Sequence, residues 1–269
     1  MTVPRPHCTN EGYVWRIDWD VRRFDELDST NRYLIDEARK GAPEGVVAVV
    51  DRQTAGRGRL DRTWEAPAGS ALLVSVLLRP SLLPTHVHST TMTAAVAACD
   101  ACEEVAGFRP ELKWPNDIVV STDGVVGDRK LAGLLAEAEL KGDDVDAVVV
   151  GMGFNVNWEK PPPGLEGIAI AASEVAGRTV DREALLEQFL DRFEEHYSAL
   201  VEPGGWRGTL LNYRRSSSTL GKDVRVQLSD ETFTGRAVEV TGEGHLLVKT
   251  PAGDVRRVAA GDVVHLRPA

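Results

Sequence analysis

Short apolar runs and segments of helical period alternate along most of the chain, and a strict two-residue alternation replaces them near the end. VRRFDEL, from Val21, reads as a short strand. Asp28 or Ser29 then offers a helix cap, STNRYLIDEARK keeps helical period, and Gly41 stands where that helix must stop. GVVAVVDRQ is short, apolar and β-branched, as a buried strand is; SALLVSVLLRP is another, closed by Pro80. A long helix is predicted over Thr85–Ala106. Strands follow at ELKW, DIVVS, KLAGLLAEAEL and DAVVVGMGFNV, then a proline-rich connection over Lys160–Gly167. Leu185, Leu186, Phe189, Leu190 and Phe193 recur on one side of a helix from Asp181 to Leu200. Trp206–Tyr213 begins a further helical segment.

The character changes after Ser216-Ser217-Ser218. DVRVQLSD, ETFTGRAVEV, HLLVKT, DVRRVAA and DVVHLRP alternate like short antiparallel strands, separated by turn signals such as TGEG and PAGD. The pattern predicts an α+β domain with a mixed β-sheet flanked by helices, then a small all-β domain of SH3-like size. The expected division is an N-terminal extension (1–20), a catalytic-type domain (21–217) and a C-terminal β domain (218–269).

Composition narrows the function. The chain has 269 residues, a net charge of −10 and a pI near 5.2, which argues against nucleic acid as a partner. No window approaches 18 consecutive apolar residues, so no membrane span is expected, and MTVPRPHCTNEG lacks the apolar core of a signal peptide. The expected location is cytoplasmic. Cys99 and Cys102 form a C-x-x-C downstream of His86 and His88, but on an alanine-rich helix that spacing describes two small buried thiols.

Against the acidic background stands one basic loop, TAGRGRLDRTW (Thr54–Trp64). Gly56 and Gly58 remove side chains where the backbone must turn or meet a ligand. Arg57, Arg59 and Arg62 supply forked donors for carboxylate or phosphate, and Trp64 an apolar plate. A small anion is the expected partner. KWPND (Lys113–Asp117) sets Asn116 and Asp117 beside a strand end, and a carboxylate next to phosphates calls for a cation such as Mg²⁺. RKLAG (Arg129–Gly133) brings Lys130. GMGFNVN (Gly151–Asn157) brings two glycines that permit close approach of a ligand; it lacks the third glycine and the helix of a dinucleotide fingerprint.

With DSTN (28–31) and QTAGRGRLDRTW (53–64), these motifs in this order resemble the biotin protein ligase family over roughly Val21–Pro268. The resemblance implies a class II aminoacyl-tRNA-synthetase-like catalytic domain and a C-terminal SH3-like barrel. It implies activation of biotin with Mg-ATP to biotinyl-5′-AMP and transfer to a lysine of a biotin carboxyl carrier domain, such as that of acetyl-CoA carboxylase. The chain looks like the monofunctional type without a DNA-binding domain, as a monomer or weak homodimer. Carried over by position, Ser29, Thr30, Asn31 and Gln53 meet the biotin head. Gly56, Arg57, Gly58 and Arg59 wrap biotin and adenylate, and Leu135, Gly151 and Gly153 line the biotin pocket. Arg62, Trp64, Asn116 and Asp117 hold the phosphates, metal and adenine side, and Asn155 reads the adenine edge. Lys130 sits between the biotin carboxylate and the α-phosphate, making Lys130, Arg59 and Asp117 the expected catalytic set, with Asp117 as metal ligand.

One position departs from the family pattern: Asp61 stands where glycine is usual, and a weaker hold on the adenylate is expected from its charge. Residues 121–129 are expected to form an extended hairpin tip. Two other functions remain compatible with the motifs: a lipoate-type ligase of the same fold, and a non-catalytic biotin or adenylate sensor.

Overall fold

The computed structural model describes residues 7–9, 12–14, 16–60, 62–122, 127–259 and 261–266, the first two segments and residue 122 by their backbone only. Asp61 and the tip residues 123–126 lie outside the described residues. Within the N-terminal extension β1 (His7–Thr9) and β2 (Gly12–Val14) pair antiparallel.

A seven-stranded sheet organises the chain from Asp20 to Asn155, in the order β3-β4-β5-β9-β8-β7-β6. Its strands are β3 (Asp20–Leu27), β4 (Val46–Gln53), β5 (Ala71–Leu78), β6 (Glu111–Lys113), β7 (Asp117–Thr122), β8 (Gly127–Lys141) and β9 (Asp144–Asn155). β3 and β4 run parallel because α1 (Thr30–Arg39) crosses between them; every other neighbouring pair is antiparallel, so the sheet is mixed. Ser29 caps α1, accepting from the Arg32 amide, and Gly41 leaves the helix at φ +88°, a conformation glycine reaches without strain.

α1 covers one face of the sheet, burying Leu34, Ile35 and Ala38 against Val46, Ala48, Leu77 and Val149. The other face carries α2 (His88–Ala106), α4 (Arg182–Val201) and α5 (Trp206–Arg215), and the short α3 (Ala172–Ala176) packs on α2. The helix expected from Thr85 divides in two: Pro84–His86 forms a tight turn with i→i+3 hydrogen bonds, and the α-helix begins at His88. Cys99 and Cys102 are fully buried free thiols in α2, and burial pushes the Cys102 thiol up to about 12. Among the described residues no group of three or more His, Cys, Asp or Glu is set to hold a metal.

The C-terminal strands β10 (Asp223–Gln227), β11 (Thr232–Val240), β12 (Leu246–Lys249), β13 (Val255–Val258) and β14 (Asp262–His265) form an antiparallel sheet, ordered β13-β12-β11-β10-β14. Its buried face is not a separate core. Val224, Val226, Val240, Leu246 and Val248 belong to one apolar cluster with Leu112, Trp114, Phe193 and Tyr213. The C-terminal sheet is thereby fixed against the end of the main sheet where β6, β7 and β8 lie.

Candidate active site

The site begins with missing side chains. Gly133 on β8 lies opposite Gly153 on β9, and Leu135 opposite Gly151; on the other flank β5 sets Ser75 opposite Gly151. Side chains at paired positions share a face, so the three glycines open a hollow on the face that α1 covers further along. Larger groups fill it. A Cβ on Gly151 would run into Asn31 Oδ1, and one on Gly153 into the Trp64 indole. One on Gly133 would stand 2.9 Å from Lys130 Nζ.

Above the hollow is a cavity of about 390 Å³, within the range of small-molecule sites. Four segments converge on it. The start of α1 brings Ser29, Thr30 and Asn31; the end of β4 and the loop after it bring Gln53, Arg57, Gly58, Arg59, Arg62 and Trp64. The β6–β7 turn, with its cis Trp114–Pro115 peptide, brings Asn116 and Asp117; β8 and β9 bring Lys130, Leu135, Gly151 and Gly153. Two of the expected residues are elsewhere. Gly56 lies at the base of the basic loop, where its carbonyl accepts from the Trp64 amide and a Cβ would collide with the Trp64 carbonyl. Asn155 is buried and does not line the cavity; its amide donates to the Lys130 and Ile170 carbonyls at 3.3 Å each. In this structure it fixes the backbone that carries Lys130.

The basic loop is a small hairpin. Arg57 and Thr63 bridge, and the Gly58 amide donates to the Arg62 carbonyl at 2.6 Å. Leu60 takes φ +54° at the exposed tip. Of the cations at the cavity, carboxylates hold Arg57, Arg62 and Lys130. Lys130 Nζ is 2.6 Å from Asp117 Oδ1, Arg57 is 2.6 Å from Glu137, and Arg62 pairs with Asp262 of β14. Arg59 differs. Among the described residues it has no carboxylate at ion-pair distance, only the neutral Asn116 Oδ1 at 3.3 Å, and burial disfavours its charged form. A partly buried guanidinium with no carboxylate at ion-pair distance interacts strongly with an incoming anion.

Thr30, Gln53, Ser75 and Asn31 form a polar network beside this charge. The Thr30 amide donates to Gln53 Oε1 at 2.9 Å, and the Ser75 hydroxyl lies 2.7 Å from both Thr30 Oγ1 and Asn31 Oδ1. Ser75 was not legible as a site residue, being one serine within an apolar strand. Glu137 was legible only as a charge at an inward-facing position of β8. Gln227, Asp262, Val263 and Val264, from the C-terminal sheet, close one wall of the cavity; no local motif marks them, because their role comes from packing distant in sequence.

Both sheets have counterparts in known proteins. The Biotin/lipoate A/B protein ligase family model matches residues 24–155, and the Biotin protein ligase C terminal domain model matches residues 219–266. Together they define the class as a ligase of the biotin and lipoate type. The bifunctional ligase/repressor BirA of Bacillus subtilis is 34% identical over 89% of this chain and 72% of its own length. A biotin–[acetyl-CoA-carboxylase] ligase of Mycobacterium tuberculosis is 32% identical over 98% of this chain and 94% of its own. Among solved structures, a biotin protein ligase from Aquifex aeolicus, in complex with biotin and ATP, superposes with a TM-score of 0.75 at 27% identity, covering 92% of this chain and 99% of that one. The chain belongs to the biotin protein ligase family.

Proposed function

We propose that the protein attaches biotin to a lysine of a biotin carboxyl carrier domain, of the kind found in acetyl-CoA carboxylase, in two steps. A biotin carboxylate oxygen attacks the α-phosphorus of ATP, forming biotinyl-5′-AMP and releasing pyrophosphate. The carrier lysine amine then attacks the biotinyl carbonyl, an amide forms, and AMP leaves with the bonding electron pair. The observation that carries this reading is the convergence of Arg57, Arg59, Arg62 and Lys130 on one glycine-floored cavity. The first step brings two anions together, and fixed positive charge offsets their repulsion.

In this reading Ser29, Thr30 and Gln53 recognise the polar biotin head over Gly151 and Gly153. Lys130 and Arg59 sit where carboxylate and α-phosphate meet, and Arg62, Trp64, Asn116 and Asp117 face the nucleotide. Asn31 is better suited to scaffolding: Ser75 occupies its oxygen, and its amide nitrogen donates to Leu135 O and Glu137. Mg²⁺ fits the donors present. Asp117 supplies one carboxylate at the cavity, and Mg²⁺ is commonly held by one or two carboxylates together with substrate phosphates. The ion would add positive charge at those phosphates.

The finer architecture belongs to the same proposal. Residues 21–217 form a catalytic domain of class II aminoacyl-tRNA-synthetase type, and 218–269 an SH3-like barrel that closes the nucleotide end of the cavity. The protein acts in the cytoplasm as a monomer or weak dimer, without nucleic acid; no described helix is long and apolar enough to cross a membrane. Arg256 and Arg257, exposed enough to meet an acidic carrier, already have partners in Glu231 and Glu243.

The test is the mass of a purified carrier domain incubated with the protein, biotin and Mg-ATP. A biotin-sized gain, lost with Lys130→Ala, supports the proposal. No gain while biotin still binds would favour a sensor, and gain with lipoate in place of biotin a lipoate ligase.

A further inference from the structure

Glu137 stands where a carboxylate is costly. It lies on β8 two residues beyond Leu135, on the sheet face that carries the glycine hollow, and opposite Val149 of the apolar cluster under α1. Its side chain is 27% exposed. A charge in such a place is held by specific partners or is not tolerated. The structure supplies two, on a single oxygen. Glu137 Oε2 accepts from Arg57 Nη2 at 2.6 Å and from Asn31 Nδ2 at 2.8 Å.

Those partners belong to two different parts of the site. Asn31 is 4% exposed, in the first turn of α1, and it fills the space above Gly151. Arg57 belongs to the basic hairpin, whose tip residue Leu60 is exposed. The orientation of Asn31 is not free. With Oδ1 occupied by Ser75, its amide protons point toward Leu135 O and Glu137. Glu137 therefore joins the floor of the cavity to the loop above it. A neutral residue there would leave Arg57 with no ion-pair partner among the described residues.

We propose that Glu137 is a positioning residue that ties the Arg57 end of the basic loop to Asn31 on the cavity floor, so that the loop, when it closes on a ligand, closes over the biotin pocket. The inference rests on the biotin ligase reading of the site. Glu137 touches neither reacting atom, and its effect runs through Arg57 and Asn31. With the tether in place, the base of the loop is already positioned and only its tip must order on biotin; without it, more of the binding free energy goes to ordering the loop.

The experiment compares wild type, Glu137→Gln and Glu139→Gln in carrier biotinylation, varying biotin at saturating Mg-ATP. Gln keeps an oxygen for Asn31 and loses the charge that holds Arg57. Glu139 lies on the same strand and pairs with Arg39 at 2.9 Å, so it controls for loss of a β8 carboxylate as such. The expected result is a rise of about 5- to 30-fold in KM for biotin with Glu137→Gln, kcat within about 3-fold and faster trypsin cleavage in the loop. Glu139→Gln is expected to match wild type. Arg57→Ala and Arg57→Ala/Glu137→Gln should have nearly the same KM, because each removes the same tether. An unchanged KM and cleavage rate in Glu137→Gln would overturn the proposal, as would a KM rise shared by Glu139→Gln. Failure of wild type to biotinylate the carrier would instead sink the reading beneath it.

Discussion

Lys130 Nζ lies 2.6 Å from Asp117 Oδ1, so an ion pair joins β8 to β7 at the floor of the cavity. The same ammonium stands 5.4 Å from the centroid of the Trp64 ring and beside the empty Cβ position of Gly133. Neither partner is deeply buried, at 33% and 27% side-chain exposure. The pair is therefore a poor source of stability and an easy one to exchange. A phosphate or carboxylate entering the cavity would compete with Asp117 for Lys130.

Replacing Lys130 should strike chemistry more than binding. Lys130→Ala is expected to slow biotin-dependent ATP–pyrophosphate exchange by about 10²–10³-fold, as removal of one charge-stabilising donor does elsewhere, with the Kd for biotin shifted less than about 5-fold. Lys130→Arg should not restore the rate, because the wider guanidinium does not fit between Trp64 and Gly133 as an ammonium does. Exchange within tenfold of wild type in Lys130→Ala would remove Lys130 from the mechanism.

The glycine floor makes a steric prediction. Gly151→Ala places a methyl on Asn31, and Gly153→Ala places one on the Trp64 indole. Overpacking of this kind costs about 1–3 kcal/mol, and here it displaces groups that shape the cavity. Titration calorimetry should show biotin affinity reduced at least tenfold by Gly151→Ala. Gly208→Ala, in α5 with open space around its missing Cβ, should bind biotin like wild type. Equal affinities in all three proteins would mean that the hollow is not the biotin pocket.

Arg59 carries the charge most available to a ligand. Among the described residues no carboxylate stands at ion-pair distance from it, and Asp117 and Asp262 act on it only at longer range, so an anion gains more from it than from Arg57 or Arg62. Biotin with Mg-ATP should slow trypsin cleavage within residues 54–64 by about tenfold or more. Arg59→Ala should abolish the protection at the remaining arginines. Cleavage indifferent to ligand in wild type would show that the loop does not close.

The sequence made the elements legible because their patterns are local: β-branched runs, the Ser29 cap and the Asp181 cap each mark a place by themselves. Most of the motif residues do converge on one cavity. Asn155 is not placed by sequence, because a strand-end asparagine reads the same whether it faces a ligand or the Lys130 carbonyl. Glu137, Ser75 and Asp262 were missed for a related reason. Their partners lie 80, 44 and 200 residues away, and no spacing rule reaches that far.

The joint between the two sheets should respond to pH through His88. Gly244 takes φ +78° directly over the His88 ring, where a Cβ would stand 2.5 Å from Cδ2, and its carbonyl accepts from Trp114 Nε1 at 2.9 Å. Burial lowers the His88 pKa from 6.5 to about 4, with His86 and His245 adding to the shift and the Thr85 backbone and Glu243 opposing it. A histidine whose folded pKa is depressed is held neutral in the folded state. Its contribution to stability is thus complete above about pH 6.5 and falls away as pH drops toward 4, since the unfolded chain binds the proton first. After allowance for partial exposure the loss is about 1–2 kcal/mol, or roughly 2–8 °C in Tm for a chain of this size. Thermal melts at pH 7.5 and 5 should show wild type losing more stability on acidification than His88→Gln, which has nothing to protonate there. Gly244→Ala should lower Tm at both pH values by forcing the ring aside. If wild type and His88→Gln lose the same amount, His88 is not the group that titrates in this joint.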